Sequence, residues 1–231
     1  MQCVVLAGGL ATRLRPITEK IPKSMVDVKD RPFLQYQVDL LKRSDVKDII
    51  LCVGYLGEQI ESFFGNGEKF GVKIRYSYEK EQLLGTAGAI RNAIDLLDDK
   101  FFILYGDSYL DINYKEVLDY FSKVNYPALL VVYRNENKWD ASNVIFNNGF
   151  IEVYDKEKQI PGVKHIDYGL SVLSMGVIED IPKGVPYDLA DLYKDLSSRK
   201  KLAGYEVFNR FYEIGSKNGL KEFEDFIEER G

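Results

Sequence analysis

Short apolar runs rich in β-branched and aromatic residues, near 2–7, 48–54, 72–78, 101–105 and 128–133, alternate with segments of helical periodicity at 33–44, 57–64, 86–97 and 114–123. No other feature constrains the fold as strongly. In several of these runs apolar side chains occupy successive positions, the pattern of a strand covered on both faces, so a mainly parallel twisted sheet with helices on both sides is expected. Ligands of such α/β sheets bind beyond the carboxyl ends of the strands. Past 133 the pattern changes. Asn143-Val144-Ile145-Phe146 and Phe150-Ile151-Glu152-Val153-Tyr154, joined by Asn147-Asn148-Gly149, predict a small antiparallel hairpin with an Asn-Gly turn. A strand near 167–175, a helix at 187–199 and a C-terminal helix at 217–229 complete the expected order, with no linker, repeat or low-complexity segment.

The first strand runs directly into Gly8-Gly9-Leu10-Ala11-Thr12-Arg13-Leu14-Arg15-Pro16, followed by Ile21-Pro22-Lys23-Ser24-Met25. Gly8-Gly9 allows a sharp backbone turn and close approach to a ligand. Exposed N–H groups in such a turn form an anion-binding concavity, and Arg13, Arg15 and Lys23 add charge where a triphosphate would lie. The spacing fits neither G-x-x-x-x-G-K-[ST] nor G-x-G-x-x-G, so the two commonest phosphate cradles are excluded.

Composition narrows the chemistry. Cys3 and Cys52 both fall in expected strands, where cysteine behaves as a small buried hydrophobe. With these and the single His165, neither a zinc-type cluster nor a Cys/His or Ser/His/Asp nucleophile can be assembled. Any metal must be held by oxygen. A net charge of −5 argues against a nucleic-acid partner, while local cations still permit an anionic small substrate. The longest apolar runs are too short for a bilayer and the first residues lack a signal-peptide core, so a cytoplasmic protein is expected, without a membrane partner.

The segment Leu6-Ala7-Gly8-Gly9-Leu10-Ala11-Thr12-Arg13-Leu14-Arg15-Pro16, with Pro22-Lys23-Ser24-Met25, resembles the signature of the sugar-1-phosphate nucleotidyltransferases, L-A-G-G-x-G-T-R-L-x-P followed by P-K-x-M. Ala11 stands where that family has glycine. The resemblance implies a Rossmann-like fold in one domain over 1–231, with a nucleotide-binding half about 1–110, an acceptor-binding half about 111–231 and no appended β-helix. It also implies the reaction. A phosphate oxygen of a sugar 1-phosphate attacks the α-phosphorus of a nucleoside triphosphate, pyrophosphate leaves, and an NDP-sugar for bacterial surface glycans is formed with Mg2+ as cofactor. Both reactants are polyanions, so catalysis consists mostly of positioning and charge neutralisation.

Residue by residue, the resemblance gives Leu6, Ala7, Gly8, Gly9 and Thr12 to the nucleotide. It gives Arg13 the β- and γ-phosphates with the departing pyrophosphate, and Lys23 a phosphate near the reacting centre. Asp107 follows the apolar run 101–105 and Gly106, which puts a carboxylate at the carboxyl end of a central strand, where a magnesium ligand is expected; a turn or cap role also suits that position. Asp111 is expected to cap the helix near 114. Leu84-Gly85-Thr86-Ala87-Gly88-Ala89 resembles the family's L-G-T-A-G-A, giving Gly85 and Thr86 to the nucleobase or sugar. Gln82 stands near the glutamine with which relatives read a pyrimidine edge, and the base stays open. Lys156 resembles the lysine of E-K-P, with Glu157 in place of proline, and Asp167-Tyr168-Gly169 resembles [DN]-x-G; both imply acceptor binding. Glu213 resembles the aspartate of D-x-G-T, a second metal ligand with one more methylene. Trp139 lies in a polar loop and either packs on the fold or rims the sugar pocket. Two other functions stay open: cytidylyl transfer to a phosphorylated amino alcohol or amide, and a catalytically silent nucleotide-sugar-binding regulator. So does a homo-oligomer.

Overall fold

The structure, a computed structural model, describes residues 1–9, 12–79, 82–157 and 160–230, without the side chain of Thr12. Ala11, the departure from the family signature, lies outside them. A 9-stranded sheet is built from β1 (Gln2–Leu6), β2 (Asp48–Val53), β3 (Lys73–Tyr78), β4 (Lys100–Tyr105), β5 (Ala128–Arg134), β6 (Val144–Asn147), β7 (Phe150–Tyr154), β8 (His165–Ser174) and β9 (Leu202–Val207). Their order across the sheet is β3-β2-β1-β4-β8-β5-β9-β7-β6. The first group, β3, β2, β1 and β4, is parallel throughout. Beyond it β8 runs antiparallel to both β4 and β5, β9 is parallel to β5, and β7 is antiparallel to β9 and β6. The sheet is therefore mixed: the parallel expectation holds for its first half.

The apolar runs explain why the sheet is buried on both faces. In β1, Cys3 and Val5 enter one core and Val4 the other; in β4, Phe102 and Leu104 enter the first and Phe101 and Ile103 the second. Helices α1 (Phe33–Arg43), α2 (Gly57–Phe64), α4 (Tyr114–Lys123) and α7 (Lys217–Arg230) contribute to the first core. Helices α3 (Gly85–Asn92), α5 (Met175–Glu179) and α6 (Leu189–Ser198) cover the other face. Both cysteines are free and buried, and burial raises both thiol pKa values. No described helix is long and apolar enough to cross a membrane.

Four local expectations are corrected. The helix over 86–97 stops at Asn92 and continues as a separate 3-10 turn, Ile94–Leu96. Strand β9 and the short helix α5 were not expected. Asp111 does not cap α4: Asn113 does, accepting from the Lys115 and Glu116 N–H groups at 3.1 and 3.3 Å, because its shorter reach from the adjacent position meets both donors. Asp111 instead pairs with Arg230 at the end of α7.

The strand order reverses direction of growth between β1 and β4, which opens a crevice at their carboxyl ends. There Gly106 donates its N–H to Leu6 O at 3.0 Å. A Cβ on Gly106 would stand 2.4 Å from that oxygen, inside any van der Waals contact. Gly106→Ala is expected to push the two strand ends apart and destabilise the fold by about 1–3 kcal/mol, read as a lower urea midpoint with an unchanged slope.

Candidate active site

Two cavities meet at the carboxyl ends of β1 and β4. One, of about 260 Å³, is a largely apolar slot walled by the Leu6–Gly9 segment on one side and by Leu83, Gly85, Thr86 and Ala89 on the other. The second, of about 790 Å³, is polar and is walled by the β6–β7 hairpin region, the start of β8 and the segment before α7. Tyr105 and Asp107 line both, so they stand at the junction.

The junction turn is held from beneath. Gln37, wholly buried on α1, donates its amide to Tyr105 O at 2.9 Å and to Ser108 O at 2.6 Å, the carbonyls on either side of Gly106-Asp107. On the strand after Asp107, Ser108 pairs in register with Glu213, and Ile214 N–H donates to Asp107 O at 2.9 Å. The backbone around Asp107 is thus fixed by α1 on one side and by the Tyr212–Glu213 strand on the other.

Charged groups converge above this turn. Lys23 pairs with Asp107 Oδ2 at 2.5 Å. A Cβ placed on Gly215 would lie 3.0 Å from both Arg13 Nη2 and Lys23 Nζ and closer still to Glu213 Oε2, which brings two cations and a carboxylate around one small residue. Glu213 accepts from the Gly215 N–H through Oε2 and from the Ser216 hydroxyl through Oε1 at 2.9 Å, so its carboxylate is turned toward the first turn of α7.

The polar chamber is organised by a β-bulge. The register of β8 against β5 shifts between Asp167 and Ser171, and Gly169 there has φ +92°. The bulge turns Asp167 inward. Its carboxylate is only 3% exposed and accepts from Tyr154 OH and Gly169 N–H, both at 2.9 Å. Lys156 approaches it at 3.3 Å and lies over the Tyr105 ring, 5.3 Å from the centroid. Burial, reinforced by Asp167, pushes the Tyr105 phenol well above its usual pKa.

The far wall of the slot comes from a distant part of the chain. Tyr187 O accepts from the Ala87 and Gly88 N–H groups, each at 2.9 Å, and Asp188 Oδ1 accepts from Thr86 N–H at 3.0 Å and its hydroxyl at 3.2 Å. Glu79, just past β3, enters the slot half-buried; Oε1 accepts from Leu84 N–H at 2.6 Å. Burial raises its pKa and that hydrogen bond opposes the rise.

Residues 2–158 match the family model for nucleotidyl transferases. The chain belongs to the nucleotidyl transferase family. Among curated members of that family, it is 31% identical over 216 residues to the D-glycero-alpha-D-manno-heptose 1-phosphate guanylyltransferase of Campylobacter jejuni, covering 93% of this chain and 95% of that one. It is 30% identical over 213 residues to a UTP–glucose-1-phosphate uridylyltransferase of Synechocystis, covering 85% of this chain and 55% of the relative, so it spans little more than half of that longer protein. Among solved structures, HddC from Yersinia pseudotuberculosis complexed with GMP-PN superposes with a TM-score of 0.81 at 26% identity, covering 98% of this chain and 99% of that one.

Of the positions that the nucleotidyl transferase resemblance singled out, Leu6, Ala7, Gly8, Gly9, Gly85 and Thr86 all line the slot. Lys23 and Asp107 line it as well. Arg13, Lys156, Asp167, Gly169 and Glu213 line the polar chamber. The backbone of Thr12 starts a 3-10 turn, Thr12–Leu14, and its side chain lies outside the described residues. Gln82 is exposed, lines neither cavity and donates its amide to Gly184 O at 3.1 Å. Trp139 both packs and lines the chamber, with the Arg210 guanidinium 3.5 Å from its ring centroid.

Sequence reasoning missed Gln37, Glu79 and Asp188. A glutamine amid the apolar face of α1 is the one local signal among them, since a buried amide needs partners. Gln37→Met, which keeps the volume and removes both donors, is expected to cost about 2–4 kcal/mol by leaving two inward carbonyls unpaired, measured by urea unfolding.

Proposed function

We propose that this chain transfers a nucleoside monophosphate from a nucleoside triphosphate to a sugar 1-phosphate, releasing pyrophosphate and an NDP-sugar. The observation that carries this reading is the junction itself: an apolar slot and a polar chamber open onto the same carboxylate, Asp107, with Lys23 bonded to it and Arg13 nearby. A base and ribose suit the slot. A polyol suits the chamber, whose carboxylate, amide and hydroxyl groups match sugar hydroxyls.

In this reading the triphosphate runs from the Gly8-Gly9 turn toward Arg13, and the acceptor phosphate enters from the chamber beside Lys156. Lys23 stands between them and draws negative charge from the α-phosphate as the acceptor oxygen attacks in line. Arg13 holds the departing pyrophosphate. Among the described residues no side chain at the junction has the partners of an activated nucleophile, and direct displacement needs none.

The donor set fits magnesium. Asp107, next to the strand residue Ser108 that pairs with Glu213, and Glu213 itself offer hard oxygens, and magnesium is commonly held by one or two carboxylates with substrate phosphates filling the rest. Among the described residues no group of three or more His, Cys, Asp or Glu that could hold a metal assembles, so substrate phosphates and water would have to supply the rest of the shell. When bound there, the metal would neutralise phosphate charge. Glu213 accepts from Gly215 N–H and the Ser216 hydroxyl, one on each oxygen, which fixes its carboxylate and leaves further lone pairs for a cation. An acceptor caged through a quaternary ammonium is disfavoured, because Arg210 and Lys138 occupy the Trp139 ring, at 3.5 and 4.6 Å from its centroid.

The test is pyrophosphate release by the purified chain with magnesium, crossing CTP, GTP, UTP and dTTP against glucose-, heptose- and mannose-1-phosphates and phosphocholine. Turnover with a sugar phosphate is expected; nucleotide binding with silence across every acceptor would overturn the transferase reading. Asp107→Asn is expected to lower turnover at least about a hundredfold while the thermal midpoint stays close to that of the parent chain.

A further inference from the structure

We infer that Trp139 is the specificity-determining wall of the polar chamber and that Arg210 is the positioning residue that holds its ring there. This rests on the chamber being the acceptor site, and it names what selects among sugar 1-phosphates.

The backbone behind the ring is fixed by one buried amide. Asn135, 2% exposed just past β5, donates to Asp140 O at 2.7 Å and to Ser142 Oγ at 3.1 Å, and its Oδ1 accepts from Trp139 N–H at 3.1 Å. Its own N–H donates to Lys164 O at 2.9 Å, which ties the loop to the segment entering β8. Residues 139–143 of this braced loop line the chamber without a break. Trp139 is the largest side chain among them. A double ring with few rotatable bonds offers a broad contact surface and loses little entropy when a ligand packs on it.

The ring itself is held by a column of stacked groups. The Arg210 guanidinium lies 3.5 Å from the Trp139 ring centroid and 4.7 Å from that of Tyr212. Tyr212 stacks on Phe226 of α7 with centroids 4.1 Å apart and planes at 25°, and Arg210 also pairs with Glu222 of the same helix. A planar guanidinium stacks on rings in a way an ammonium cannot. Arg210 does not line the chamber, so it acts through the ring. The arrangement opposes folding at two atoms: Trp139 Nε1 and Arg210 Nε are buried without a hydrogen-bond partner among the described residues. An aliphatic side chain at this position would cover the same surface without an unpaired N–H. Stability alone therefore does not account for the pair, whereas a wall of fixed shape does.

Selection by such a wall is steric. Arg13 and Lys156 line the same chamber and offer charge to the phosphate that every sugar 1-phosphate shares, so they do not tell one sugar from another. A flat ring that cannot retreat, because Arg210 backs it, packs against a sugar of the right outline and excludes one whose substituents project into it.

The experiment reads Trp139, the only tryptophan of the chain, by its fluorescence. The purified chain with magnesium is titrated with glucose-, mannose- and heptose-1-phosphates and with inorganic phosphate, alone and with non-hydrolysable nucleoside triphosphates, and binding is followed in parallel by calorimetry. Any sugar phosphate that binds is expected to change the emission with the same midpoint as the heat, whereas inorganic phosphate, which does not reach the wall, leaves it unchanged. Arg210→Lys keeps the charge and loses the planar stack, so its emission is expected to move to longer wavelength and the dissociation constant of the best sugar phosphate to rise about tenfold. A purely electrostatic tie to Glu222 would be rescued by the lysine, and parental values in that variant would remove Arg210 from the assignment. In Trp139→Leu the spread of affinities among the sugar phosphates is expected to narrow about tenfold. A sugar phosphate that binds without moving the emission of the parent chain, a reading that needs no variant to fold, would overturn the wall, as would a parental spread of affinities in Trp139→Leu or no binding of any sugar phosphate under either condition. The transferase reading falls separately: sugar phosphate binding that moves Trp139 with no pyrophosphate released keeps the wall and removes the reaction, whereas turnover with parental selectivity in Trp139→Leu keeps the reaction and removes the wall.

Discussion

Two hydrogen bonds from one buried amide fix the point on which both cavities depend. Gln37 grips the carbonyls of Tyr105 and Ser108, and the two residues between them are Gly106, pressed against the end of β1, and Asp107. A turn held only by its own strand would be free to tilt. Held from α1 below and by Ile214 from the side, it delivers the Asp107 carboxylate to a single place, opposite Lys23. The helix that packs the core therefore also sets the geometry of the junction, linking core stability to charge placement at the site.

The two halves of the sheet divide the work. Parallel strands end together at one edge, so β1, β2, β3 and β4 bring their terminal residues, the Gly8-Gly9 turn, Cys52, Glu79 and Tyr105, to one slot. The mixed half contributes the chamber through irregularity. The bulge in β8 buries Asp167 and exposes Gly169 to the same space, and Lys156 from the hairpin side meets it there. Regular pairing shapes the first cavity and broken pairing the second.

The legibility of these parts in the sequence follows the same division. Doubly buried strands leave continuous apolar runs, so β1, β2, β4 and β5 were readable, and the glycine-rich basic loop announced an anion site. β9 was not: Leu202-Ala203-Gly204-Tyr205-Glu206-Val207 carries a glycine and a glutamate, and its pairing depends on Phe146 and Ile151 packing where a larger side chain at Gly204 would stand. Asp111 and Asn113 compete for one cap, and only geometry decides between them. Glu79 and Asp188 matter because the fold brings them to Gly8 and Thr86, contacts that no local pattern encodes. Arg13, Lys23, Asp107, Lys156, Asp167 and Glu213 could be singled out because a signature fixes them in order.

The tie between Thr86 and Asp188 joins residues 102 positions apart, and Tyr187 supplies the carbonyl that anchors the opening turn of α3. One wall of the slot thus belongs to the parallel half and its brace to a segment well beyond residues 2–158, the span that matches the family model. During synthesis the glycine-rich loop emerges early, but the slot lacks its brace until the stretch around Tyr187 has left the ribosome and docked. The slot is therefore assembled only when both halves of the sequence are present: an amino-terminal fragment has the signature and not the brace of the wall.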